Sequence, residues 1–220
     1  MNRNMIPYID IHTHKHPENP DEMAIISLDV EAEPLPLCSI GIHPWRTQEA
    51  NKSPHFIEKS LQLLASKATD PRVLAIGEAG MDKMQGADPE VQRNLFERQA
   101  LIAEQVGKPL VIHVVKFIDE IVEIHKKLKP TNRWIIHGFR GKPMQAQTFI
   151  DRGIDLSFGQ HYNPQSLIMA YESHHLWLET DQSDMTITSH YQSVSHHLGL
   201  TPDDLKLTIY HQASSLFGKL

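Results

Sequence analysis

The sequence predicts an α/β protein with a parallel sheet, a slightly shortened (β/α)8 barrel, and three observations carry that expectation. Eight short, nearly unbroken apolar runs recur along the chain, as they do where parallel strands are buried on both faces. Segments with helical periodicity separate several of these runs, the pattern of βα units. Polar, metal-competent side chains close five of them, at the strand ends where barrel enzymes keep their active sites.

In order, the candidate strands are Tyr8–Ile11, Ala24–Leu28, Leu37–Ile42, Val73–Gly77, Leu110–Ile112, Trp134–Ile136, Ile154–Phe158 and Leu176–Leu178. Pro54–Ala68 spaces Phe56, Ile57, Leu61, Leu64 and Ala65 as an amphipathic helix does. Pro89–Val106 repeats the pattern with Val91, Leu95, Phe96, Ala100, Leu101 and Ala103, then meets Gly107 and Pro109, a helix stop. Phe117–Leu128, Gln145–Arg152 and a last helix near Tyr210–Phe217 complete the set. The first three strands are joined by short connections, so one or two helices are expected to be missing or reduced there. At 220 residues the chain lies near the lower edge for a full barrel, and with no linker or repeat it reads as one domain, residues 1–220.

Hydrophobic content of 40% and charged content of 22% are close to globular averages and indicate neither disorder nor a fibre. Met1–Pro7 holds no apolar signal-like region, and no stretch approaches the roughly 18 apolar residues of a membrane span. The expected location is the cytoplasm, with no membrane and no obligatory protein partner. Cys38 is the single cysteine; it cannot form an internal disulfide, and its apolar surroundings suit a buried, inert thiol. A formal charge of -6 argues against a broad electrostatic footprint on nucleic acid, though not against a local positive site. Neither a G-x-G-x-x-G nor a P-loop pattern occurs, which disfavours nucleotide-cofactor chemistry. Fifteen histidines are the compositional oddity, and imidazole is both a routine surface group and the commonest transition-metal ligand.

Position decides between those readings. His12 and His14 close the first strand, where alternation sends residues i and i+2 to one face; alone, H-x-H is a weak signal. Glu78 ends an apolar strand, and a carboxylate there needs a cation or a hydrogen bond to offset its desolvation. His113 and His137 end the fifth and sixth strands; a single histidine so placed is more often a hydrogen-bonded core residue than a ligand, but two in equivalent positions are harder to dismiss. Asp181 follows the eighth strand and, taken alone, reads as a helix cap or loop acid. If the strands close into a barrel, four imidazoles and two carboxylates converge, more than one zinc site needs. Six ligands imply two metals, with Glu78 the better candidate to bridge, Asp181 a ligand and base, and hydrolysis the natural chemistry.

These residues also carry a resemblance. Asp10-Ile11-His12-Thr13-His14, Gly41-Ile42-His43-Pro44, Gly77-Glu78-Ala79-Gly80-Met81-Asp82, the stretch from Gln92 through Phe96 and Gln99 to His113, His137-Gly138-Phe139-Arg140-Gly141, Glu179-Thr180-Asp181 and Leu216-Phe217 resemble, in order and spacing, the TatD family of metal-dependent hydrolases. The resemblance spans nearly the whole chain and implies an amidohydrolase-like TIM barrel, a divalent metal centre and, for the best-known members, deoxyribonuclease activity. Carried over by position, His12 and His14 would bind one ion with Asp181, Glu78 would bridge, and His113 and His137 would bind the second. Zinc, manganese or magnesium would serve.

The chain departs from the family pattern where substrate is recognised. His16 stands where an acid usually follows the first histidine pair, and Val114-Val115 replace a Ser-Arg. The late Asn is Gln212, Asp-Ala-Pro has become Asp181-Gln182-Ser183, and the Arg-Asn-x-Pro pattern is missing. Lys116, Arg140 or Arg46 would have to supply the positive charge, and His43 would line the mouth. His55 and His125 read as solvated helix residues, while His174-His175, His190 and His196-His197 read as polar or loop-like stretches. Function is therefore expected to be metal-dependent cleavage of phosphodiester bonds in DNA by a two-metal activated water, with Asp181 and Glu78 catalytic. The alternatives are a hydrolase of a small amide, ester or phosphoester, and a non-catalytic metal-binding barrel.

Overall fold

A computed structural model describes residues 6–51 and 53–218, so of the segment Met1–Pro7 only Ile6 and Pro7 lie among the described residues. Each of the eight apolar runs forms a strand: β1 (Tyr8–Thr13), β2 (Glu22–Asp29), β3 (Cys38–Gly41), β4 (Val73–Asp82), β5 (Leu110–Val115), β6 (Trp134–Ile136), β7 (Asp155–Phe158) and β8 (Leu176–Leu178). Helices follow from the third strand onward: α1 (Phe56–Lys67), α2 (Pro89–Val106), α3 (Ile118–Leu128), α4 (Pro143–Ile150), α5 (Pro164–Glu172), α6 (Ile187–Leu198) and α7 (Pro202–Phe217). Among the described residues no helix separates β1, β2 and β3, as their short connections require, and no helix is long and apolar enough to cross a membrane. The chain divides into two compact units, Met1–Ile26 with His137–Leu220, and Ser27–Ile136.

In the unit formed by the two ends of the chain, β1 pairs parallel with β2, Tyr8 opposite Glu22 and Asp10 opposite Ala24. β7 pairs parallel with β8, Leu156 opposite Leu176 and Phe158 opposite Leu178. An isolated parallel bridge links Thr13 to Asp181. α6 is covered on one side because Ile187, His190, Tyr191, Val194 and Ser195 are all buried, the i, i+3, i+4, i+7, i+8 stripe of an amphipathic helix. The Tyr191 hydroxyl donates to the Ile9 carbonyl at 3.0 Å and accepts from the Ile9 amide at 3.2 Å, satisfying β1 backbone that would otherwise be buried without partners.

In the central unit, β3, β4, β5 and β6 are parallel neighbours in chain order. α2 begins at an Asp88 cap that accepts from Glu90 N and ends in left-handed Gly107, the stop expected from the sequence. Its apolar face buries Leu95, Phe96, Ala100 and Ala103, and Phe96 meets Trp134 edge to face at 5.4 Å. Because Phe96 is completely buried, Phe96→Ala should cost about 3–5 kcal/mol, read as a lower urea midpoint at unchanged slope. A cost below about 1 kcal/mol would mean that α2 collapses into the vacated space. Cys38 is buried as expected, and burial pushes its thiol further up.

Several expectations are corrected. β4 and β5 run on to Asp82 and Val115, so Glu78 and His113 lie within their strands rather than at the ends. α5 and α6 are helices the periodicity did not reveal: α5 is nine residues long, and α6 places His190 and Ser195 in its buried stripe. His190, His196 and His197 thus lie on a helix, not a loop; His190 is fully buried with Nε2 2.7 Å from the Phe158 carbonyl. The last helix begins at Pro202 rather than near Tyr210, opened by Thr201, whose side chain accepts from Asp204 N. His125 is half-buried with its ring against Trp134 at 4.9 Å, not fully solvated.

Candidate metal centre

Among the described residues, two groups of candidate ligands each lie within one unit: His12, His14 and Asp181, and His43, Glu78 and His113. In both, the ligand atoms lie within 4.8 Å of one another.

The first group is assembled by backbone. Asp181 N donates to the His12 carbonyl at 3.0 Å and His14 N donates to the Asp181 carbonyl at 3.2 Å. Those two bonds place the carboxylate beside both imidazoles, with Asp181 Oδ1 3.5 Å from His14 Nε2 and 3.8 Å from His12 Nε2. His12 is fully buried, while the Asp181 side chain is 37% exposed, so the group has one dry side and one that water reaches. Asp181 has a φ of 50°, a left-handed conformation that Asp tolerates better than most residues. The His137 ring lies 4.3 Å from that of His12.

Buried acids hold this group from behind. Glu179 accepts from Gly138 N at 2.8 Å, and its Oε1 lies 3.4 Å from His137 Nδ1. Burial raises the Glu179 carboxyl, but the His137 bond and the nearby imidazoles outweigh it and leave it below the ordinary range. Asp10 accepts from Thr180 N at 3.1 Å and from His12 N at 3.3 Å. Burial pushes its carboxyl up to about 8 against the bonds from Thr180. His16 lines a cavity of about 60 Å³ with Lys15, Asp184 and Thr186.

The second group depends on α2. The Gln99 side chain accepts from Ile42 N at 2.8 Å and donates to the Ile42 carbonyl at 2.9 Å. Gln92 does the same for Asp82, at 2.8 and 3.0 Å. Two buried amides thereby fix the backbone just before His43 and at Asp82. A register shift between Ile76 and Ala79 marks a bulge at Glu78, the device that re-aims a strand side chain. Gly80 faces His113 across this pairing, and a Cβ there would sit 1.9 Å from the His113 carbonyl oxygen, so only glycine permits β4 and β5 to approach this closely.

Glu78 is 8% exposed, and its Oε1 lies 3.1 Å from His43 Nε2 and 2.9 Å from His113 Nδ1. The two histidines differ in what their other nitrogen does. Trp45 N donates to His43 Nδ1 at 3.2 Å, so a neutral His43 carries its proton on Nε2 and donates to Glu78. His113 Nε2 lies 3.2 Å from Asp82 Oδ2; a proton held there leaves the Nδ1 lone pair for an ion. This is how an outer carboxylate selects the ligating nitrogen of a metal-binding histidine. Asp82 is itself held by the Trp45 indole N–H at 2.7 Å and by Met84 N at 2.7 Å. Burial raises its carboxyl, but the bonds from Trp45, Met84 and His113 prevail and keep it low.

The expected substrate contacts divide. His43 sits against Glu78. Lys116 follows β5 and Arg140 lies beyond β6, both exposed. Arg46 is corrected: its guanidinium is engaged by Glu49 at 3.0 Å, Glu31 at 3.2 Å and Asp29, with its carbon over the Phe56 ring. These carboxylates, Glu49 first, raise its pKa beyond the ordinary arginine value and neutralise it as a substrate contact. Asp10, Asp82, Glu179 and Trp45 are site residues that spacing alone did not reveal. The one signal was adjacency: Asp10, Asp82 and Glu179 stand in the motifs that carry the resemblance, and Trp45 follows directly on one of them.

Comparison with known proteins places these features. The crystal structure of YjjV, a TatD homolog from Escherichia coli K12, superposes with a TM-score of 0.74 over 98% of this chain and 100% of that one at 19% identity. At that identity the likeness shows the fold, the TIM-like (β/α)8 barrel class expected from the sequence. Among curated sequences, the uncharacterized metal-dependent hydrolase YjjV of Escherichia coli (strain K12) is 26% identical over 171 residues, 74% of this chain and 64% of that protein. Deoxyribonuclease Tat-D of Schizosaccharomyces pombe is 27% identical over 124 residues, 53% of this chain and 40% of that one. The chain spans less than two thirds of the length of these curated relatives. The family model described as TatD related DNase matches residues 11–218, a span that includes every ligand named above, and the chain belongs to that family.

Proposed function

We propose that the chain is a divalent-metal-dependent hydrolase that cleaves phosphodiester bonds in DNA by a two-metal activated water. The observation that carries this is the His12, His14 and Asp181 group, in which two imidazoles and a carboxylate share one locus with a dry and a wet side. Family membership and the deoxyribonuclease name of the fission yeast relative support the substrate. On this reading residues 1–220 form a single cytoplasmic domain, His12, His14 and Asp181 would hold one ion and His113 and His137 the other, and Glu78 would be the shared carboxylate, as the resemblance to the family implies. The donor set fits: mixed imidazole and carboxylate suits zinc or manganese, with magnesium the alternative where oxygen ligands dominate. Bound ions would lower the pKa of a water toward about 7 and draw the non-bridging phosphoryl oxygens.

The remaining steps belong to the chain's own residues. Asp181 accepts the proton of the attacking water. Glu179 orients His137 and Asp82 orients His113 through their second ring nitrogens, and His43 donates to Glu78 to hold the bridging carboxylate. Lys116 and Arg140 offer positive charge to the phosphate.

Elemental analysis of the purified protein, with hydrolysis of single-stranded DNA and of a small phosphoester, tests the reading. About two metals per chain with chelator-sensitive DNA cleavage is expected; two metals with cleavage of the small ester alone sinks the DNA assignment. One observation favours that second reading: Val114 and Val115 occupy β5 immediately after His113, so no cation stands there. Salt dependence separates the two, because DNA contacts lose affinity steeply with salt while a neutral substrate does not.

A further inference from the structure

Three tryptophans occur in the chain, and two of them, Trp134 and Trp177, are buried in the core. Trp45 is 44% exposed, although it adjoins the His43, Glu78 and His113 group. Its ring lies edge-on 4.7 Å from His43 and 6.0 Å from His113. The indole N–H is committed to Asp82 at 2.7 Å, so the open surface is the hydrocarbon part of the ring. Met84, 64% exposed, is held to the same carboxylate through its backbone amide and adds a second apolar side chain. A large ring 44% exposed among the described residues, yet locked by a hydrogen bond to a buried acid and two imidazole contacts, is a preorganised surface.

We propose that Trp45 is a stacking subsite for a nucleobase of a single strand whose phosphodiester lies at the Glu78 and His113 group. A ring tied at its only polar atom keeps one orientation, so a base that stacks on it loses little freedom beyond its own, and stacking tolerates any base because each has a π-face. A base inside a duplex is already covered on both faces, so the subsite selects unpaired nucleotides. It also offsets the lack of a cation at Val114 and Val115 by holding the base as well as the phosphate. This inference rests on the DNA-hydrolase reading.

The test titrates the full-length protein as purified with phosphorothioate-linked tetrathymidylate, which resists cleavage, while following tryptophan fluorescence. Saturable quenching is expected, absent with an abasic strand of the same length and absent from the residual signal of Trp45→Leu. No quenching by tetrathymidylate, or equal quenching by the abasic strand, overturns the subsite. Hydrolysis of ordinary single-stranded DNA is measured in parallel: quenching without cleavage keeps the subsite and removes the nuclease reading, and cleavage without quenching does the reverse. In cleaving protein, the ratio of KM for abasic over base-bearing substrate should fall on the order of tenfold in Trp45→Leu. Trp45→Phe, which retains a ring, should keep most of it. The ratio cancels any loss routed through Asp82 and His113, so a ratio that Trp45→Leu leaves unchanged would make Trp45 a mere prop for Asp82 and overturn the subsite.

Discussion

Asp181→Ala should lower kcat on DNA by roughly 10²–10⁴-fold, the contribution of a positioned general base, and should also weaken metal binding at His12 and His14. Both effects follow from one oxygen, Oδ1, which lies 3.5 Å from His14 Nε2 and 3.8 Å from His12 Nε2 on a side chain that water reaches. The substitution should leave the fold standing, because Asp181 joins β1 through its backbone amide and carbonyl rather than its carboxylate. Alanine at a φ of 50° adds a cost of about 1 kcal/mol, which urea unfolding will report separately. Asp181→Asn avoids that cost, since Asn tolerates this conformation, and divides the two roles. It keeps an oxygen ligand but accepts no proton, so it should retain more metal than the alanine variant while remaining equally slow. Steady-state kinetics with metal analysis decides the matter, and an alanine variant with full activity removes Asp181 from the chemistry.

Glu78→Ala should have a comparably large effect by a different route. One carboxylate oxygen is the common neighbour of His43 and His113, so its loss leaves a group with no anion to balance a divalent charge. Elemental analysis should find about one metal fewer per chain, and DNA hydrolysis should fall by at least two orders of magnitude, as two-metal chemistry requires both ions. Glu78→Gln preserves shape and a single acceptor oxygen; it should bind metal more weakly than wild type and more tightly than the alanine variant. If Glu78→Ala keeps two metals and its activity, the bridging role is lost, and His43 with His113 is then a hydrogen-bonded core pair, as single histidines at strand ends commonly are.

The eight strands were legible because parallel strands buried on both faces are apolar at every position, a signal that needs no partner to be recognised. α2 was legible for the same local reasons: an apolar stripe, then Gly107 and Pro109. α6 was not, because His190 and Ser195 fill core positions, and a buried histidine satisfied by the Phe158 carbonyl looks polar in sequence. The bulge at Glu78 escaped notice too, since a register shift is a relation between two strands and leaves no mark on either alone.

By itself the sequence determined the α/β class, the strand order and the residue types able to hold a metal, because burial pattern and side-chain chemistry are local properties of the chain. Only the tertiary structure decided what each polar group faces. It showed that Arg46 is consumed by three carboxylates, that His43 lies between Trp45 N and Glu78 while His113 lies between Glu78 and Asp82, and that Trp45 is locked yet open. Hydrogen-bond partners come from distant positions, and the tautomer of a ring or the availability of a charge is set by those partners rather than by the residue's own identity.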